Sequence, residues 1–127
     1  MKKPKFLLIR SSVFPYDILF TTATDDEVIR YIEKNKNYEL SDSEKELLPI
    51  SGDGRTVMLN GGQTIVRVKS VKTKIGIDLV IVAHELQHAV FLILDRMGVK
   101  HTIDSDEVYS YYLAYLMRKV LDCYDPA

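Results

Sequence analysis

Tryptophan is absent from this chain, and cysteine, proline and glycine are scarce: one, four and six residues in 127. A lone cysteine, Cys123, allows no internal disulfide, which argues against a stapled secreted scaffold and for a reducing, cytoplasmic setting. So little glycine and proline excludes collagenous or low-complexity architecture. Charge of either sign is nearly balanced at −1, so the electrostatic footprint of a nucleic-acid binder is missing. Long uninterrupted apolar runs are missing too. The basic N-terminus MKKPKFLLIR loses its apolar character at Arg10 after four residues, too few for a signal-peptide core. Residues 77–94 are the most apolar stretch, yet they hold Asp78, His84, Glu85, Gln87 and His88, which are costly in lipid. Neither nucleic acid nor membrane is expected as a partner.

What is present suits one globular domain spanning 1–127, with 46% apolar and 28% charged residues. Lys5–Arg10 and Asp17–Thr22 read as short strands, separated by Ser11, Ser12 and Pro15. Thr24-Asp-Asp-Glu27 matches a capping box. The helix it opens should bury Val28, Ile29, Ile32 and Tyr31 and fray at Asn35–Asn37. Ser41-Asp-Ser-Glu44 repeats that signature, before a short helix that runs to Leu48 and stops at Pro49. Ser51–Gly54 reads as an exposed turn. Arg55–Asn60 and Gln63–Lys69 flank Gly61-Gly62 as a hairpin, the glycine pair suiting a two-residue primed turn. Along its second strand Thr64, Val66 and Val68 share one face, and Ile65, Arg67 and Lys69 the other. Lys69–Lys74 is a lysine-rich connection. A helix follows from Ile77 to Met97, with Gly98 as its C′ residue. Apolar on most sides, this helix is expected in the middle of the domain. A last helix opens at Asp104-Ser-Asp-Glu107 and runs to about Cys123, with Val108, Tyr111, Tyr112, Tyr115, Leu116 and Val120 on its apolar side.

The chemistry sits at AHELQHAV, residues 83–90, which contains H-E-x-x-H. Residues four apart on a helix share a face, with Cβ atoms roughly 5–6 Å apart. His84 and His88 can therefore converge on one Zn²⁺, and Glu85 can reach the metal's open side as a general base. Shuffling this composition would create the pattern in roughly one chain in a few hundred. Catalytic zinc usually takes three protein ligands and leaves a position for water. In the extended H-E-x-x-H-x-x-G-x-x-H class a third histidine comes six residues after the second. Here that place is Leu94, which cannot ligate. The downstream candidates are His101, Asp104, Asp106 and Glu107.

The pattern of H-E-x-x-H, nearly twenty residues, then Glu near the start of another helix resembles the gluzincin group of zinc metallopeptidases. The stretch HELQHAVFLILDRMGVKHTIDSDEVYSYYLAYLMRKV is similar to small phage-encoded metallopeptidases, and more distantly to the immunity-repressor (ImmA/IrrE-like) peptidases. The resemblance covers about 83–120. It implies an α+β zincin-like domain, with a small mixed or antiparallel sheet on the H-E-x-x-H helix and a ligand-bearing last helix. It makes Glu107 the third zinc ligand beside His84 and His88, with Glu85 as the catalytic base in peptide-bond hydrolysis. It also implies that a peptide or protein substrate adds as a strand to a sheet edge supplied by Gln63–Lys69. Large gluzincins often place Asp four residues beyond the ligand Glu, where this chain has Tyr111; Asp104 and Asp106 are the substitutes available. Tyr109, Tyr112 and His101 are the candidate donors to a developing oxyanion.

A rival of another class is a metal-bearing, non-proteolytic interaction or assembly protein in which zinc ties two helices together. Glu85 separates the two readings, because a purely structural site has no use for a general base.

Overall fold

The computed structural model describes residues 4–11, 14–35, 39–71 and 76–124. Its elements are β1 (Phe6–Ile9), β2 (Ile18–Thr21), α1 (Asp25–Asn35), α2 (Asp42–Leu47), β3 (Gly54–Met58), β4 (Thr64–Val68), α3 (Gly76–Arg96) and α4 (Asp106–Tyr124). The four strands form one mixed sheet in the order β1-β2-β4-β3, so the class is α+β. β2 and β4 run parallel, while β1 and β3 are antiparallel to their neighbours. Ser12, Lys36, Asn37 and residues 72–75 of the lysine-rich connection lie outside the described residues.

Local signals in the sequence set most element ends. Thr24 accepts from the Glu27 amide at 3.3 Å, and Glu27 accepts from the Thr24 amide at 3.1 Å. Ser41 and Glu44 make the same reciprocal pair at α2. Glu44 is buried, and its second oxygen takes the Asn60 amide of the β3–β4 hairpin at 3.0 Å. Gly98 ends α3 with φ +82. There the Val99 amide reaches the Leu94 carbonyl and the Gly98 amide the Asp95 carbonyl, both at 2.9 Å, the double closure of a Schellman motif.

The hairpin tip differs from expectation. The Leu59 amide donates to the Gln63 carbonyl and the Gly62 amide to the Leu59 carbonyl, so the loop spans Asn60, Gly61 and Gly62. Of the two glycines only Gly62 has positive φ, at +96. A type I turn followed by one left-handed residue satisfies a three-residue hairpin, whereas a primed two-residue turn on the glycine pair would need positive φ at Gly61, which it lacks.

Alternation along the inner strands feeds two cores. Ile18, Phe20, Val66 and Val68 pack with Val82, Leu86, Val90 and Ile93 of α3 and with Leu116 of α4. Leu19 and Ile65 face the other way, among Val28, Ile32 and Leu48 beside α1 and α2. Both faces of the sheet are thus covered, which is why all five residues of β4 are buried. Two expectations about the long helices change. α3 is covered by the sheet and by α4 but stays open along Val80, His84, His88 and Leu92, so it lies at the side of the domain. On α4, Tyr112, Leu116 and Val120 are buried, but Val108, Tyr111 and Tyr115 face outward. The buried stripe runs through Tyr109, Tyr112, Leu116, Val120 and Tyr124, at the spacing of one helical face.

Candidate metal centre

The four-residue spacing places His84 and His88 one turn apart on the open side of α3, both exposed. Their Nε2 atoms approach to 3.1 Å, with the ring planes nearly perpendicular at 84°. Such a contact needs a proton between the nitrogens or a shared cation. Two nitrogen ligands of one tetrahedral zinc, with bonds of about 2.0–2.1 Å, stand roughly 3.3–3.4 Å apart. The imidazole pair fits that requirement with little adjustment, and imidazole nitrogens suit zinc.

Glu85 is 7% exposed and packs against the sheet, with its carboxylate between β3 and His84. The Thr56 hydroxyl of β3 lies 2.8 Å from Glu85 Oε1 and 2.9 Å from the Glu85 main-chain oxygen. The other carboxylate oxygen, Oε2, lies 4.0 Å from His84 Nε2. Gly54 makes this approach of strand to helix feasible, since a Cβ there would stand 2.9 Å from Glu85 Cγ and 2.8 Å from the Arg67 carbonyl oxygen. His84, Glu85 and His88 border a groove of about 440 Å³ whose other wall is Ser51, Gly54, Arg55 and Thr56. Past His88 a second hollow of about 450 Å³ reaches Phe91, Val99, His101 and Tyr109.

The downstream candidates are dispersed. His101 shares the second hollow with His88, but its Nε2 pairs with Asp106 at 3.2 Å, and its ring rests against Phe91 and Tyr109. Asp106 therefore serves His101 instead of a motif histidine. Asp104 and Glu107 are exposed, Glu107 in the first turn of α4. Among the described residues no three His, Cys, Asp or Glu side chains stand close enough to hold a metal ion, so Glu107 is not brought to the imidazole pair. Of the candidate proton donors, Tyr109 gives its hydroxyl to the Val99 carbonyl at 2.7 Å, and Tyr112 is buried in a stack on Phe14.

The expected sheet edge is also corrected. β4 pairs with β2 on one side and β3 on the other, so Gln63–Lys69 offers no free edge. Among the described residues the free edge beside the motif belongs to β3, whose only strand partner is β4, apart from a Ser51–Gly54 bridge at its start. Gly54 and Thr56, which complete the surroundings of Glu85, escaped the motif reading. A glycine opening a strand is a known sign of close backbone approach, but nothing local names the partner. No helix among the described residues is long and apolar enough to cross a membrane. Compared with protein-family models, curated proteins and solved structures, the chain matches none.

Proposed function

We propose that this chain is a zinc-dependent peptidase whose working groups lie on α3 and β3. The observation that carries the reading is the 3.1 Å convergence of His84 and His88 Nε2 beside a hydrogen-bonded Glu85. His84 and His88 would hold the ion, and Glu107 is the proposed third ligand, with His101 and Asp106 its competitors. Zinc supplies Lewis acidity to a scissile carbonyl and makes water more acidic. Glu85 takes a proton from the attacking water and returns it to the leaving amine. The free edge of β3 presents main-chain donors and acceptors to an extended peptide along the groove.

The test is elemental analysis of purified protein, followed by incubation of the zinc-loaded protein with a mixed peptide library, with and without chelator. About one zinc per chain, lost in His84→Ala and His88→Ala and weakened in Glu107→Ala, together with chelator-sensitive cleavage, is the expected result. Absence of zinc even after its addition, or equal binding by both histidine variants, would overturn the site.

A second reading, a metal-bearing interaction protein, draws support from the apolar side chains exposed near the α3–α4 connection. Ile103 is 96% exposed and Tyr111 72% exposed. Stoichiometric zinc with no cleavage of any peptide would favour it.

A further inference from the structure

We infer that Thr56, with Gly54 beside it, is the positioning residue for Glu85; the inference rests on the peptidase reading above. A glutamate on a helix surface ordinarily samples several rotamers, and a base that wanders is poorly aimed at the water it must deprotonate. Glu85 is held at two places. The Thr56 hydroxyl spans its side-chain and main-chain oxygens at 2.8 and 2.9 Å, and the bare Cα of Gly54 closes over its Cγ and Cδ.

With one proton to donate, Thr56 serves one of these acceptors at a time or shares the proton between them. Among the described residues the carboxylate thus has one neutral donor, Thr56, and keeps its other oxygen, Oε2, on the His84 side. A threonine orients the carboxylate through one hydroxyl, without a second charge competing for the site. Both holding residues belong to the edge strand of the sheet, so the strand that borders the substrate groove also aims the base.

The test compares Thr56→Val, which keeps the shape and removes the donor, with Thr56→Ser, which keeps the donor. On a peptide that the zinc-loaded wild type cleaves, Thr56→Val should lower kcat about 100-fold while KM stays within about twofold, and Thr56→Ser should recover most of the loss. A Thr56→Val enzyme with wild-type kcat, or a serine variant no better than valine, overturns the inference and leaves the peptidase reading intact. A wild type that binds zinc and cleaves nothing ends both. A readout without activity is a double-mutant cycle of Thr56→Val and Glu85→Ala, measured by urea unfolding of the metal-free protein. The pair should be non-additive by about tenfold in the folding constant; additivity counts against the contact.

Discussion

Arg67, at the centre of the sheet, donates through Nη2 to the main-chain oxygen of Ala23 at 2.8 Å. Its Nη1 reaches the Leu48 carbonyl at 2.7 Å and the Asp25 carboxylate. One side chain, 2% exposed, therefore joins the start of α1 and the end of α2 to β4. Replacing it by Met keeps bulk but strands two buried carbonyls, each worth about 1–3 kcal/mol when left unpaired. Arg67→Met is expected to cost about 2–4 kcal/mol in urea unfolding with an unchanged m-value. Arg67→Lys should recover only part, because an ammonium cannot reproduce the planar fork. A wild-type midpoint for the methionine variant would count against this clasp.

Glu85→Gln preserves size and removes the carboxylate that the proposed mechanism uses as its base. The variant should retain wild-type zinc content and lose peptide cleavage by about 10²–10⁴-fold. Metal analysis and cleavage rates on one preparation check both halves, and equal rates would remove Glu85 from the mechanism.

Gly62 combines φ +96 with a Tyr16 ring carbon 2.6 Å from where a Cβ would sit. Gly62→Ala should therefore destabilise the fold by about 1–3 kcal/mol. Gly52 also has positive φ, at +74, but nothing lies within 4 Å of its would-be Cβ. Alanine there carries the backbone strain alone and should be the milder change. Thermal melts of the two variants give the comparison, and the opposite ranking would contradict it.

Burial pushes the phenols of Tyr112 and Tyr124 up to about 12, helped at Tyr112 by Tyr115 and Asp17 and at Tyr124 by Cys123. A folded pKa above the unfolded one favours the fold below the unfolded value. The contribution is complete below about pH 10 and is lost as pH rises toward about 12. Ultraviolet titration should show the Tyr112 and Tyr124 phenols ionising late, together with unfolding. Tyr112→Phe should move the alkaline transition to higher pH, and no change in it would contradict the assignment.

Local chemistry was legible in the sequence where neighbours along the chain decide it. Both capping boxes, the Gly98 helix end, the hairpin and the one-face placement of His84 and His88 depend on spacings of a few residues. Alternation also sorted Ile65 and Arg67 onto the face opposite Val66. What alternation cannot reveal is whether that opposite face is covered, and here α1 and α2 cover it. The same limit hid the interior position of β4, because strand order depends on contacts between residues far apart in sequence. At the site, the helical period gave the imidazole pair and the neighbouring Glu85, whereas Thr56 lies 29 positions from Glu85 on a strand whose neighbours are set by tertiary packing. The outward turn of Tyr111 has the same origin: helix propensity allows several aromatic faces, and the sheet selects one.

The parallel pairing of β2 with β4 also bears on the order in which the chain acquires its structure. Ile18 meets Thr64, about 46 positions on, so this ladder must close a long loop and meet its entropy before any contact rewards it. The β3–β4 hairpin and the α3–α4 pair close over short connections and face no such delay. The rate-limiting event is then the arrival of β2 beside a preformed hairpin. Truncating Phe20 of β2 or Val57 of the preformed hairpin should then slow refolding, because both sets of contacts are made by the time the ladder closes. Stopped-flow chevrons for the two variants would show whether the sheet is completed from its centre in this order.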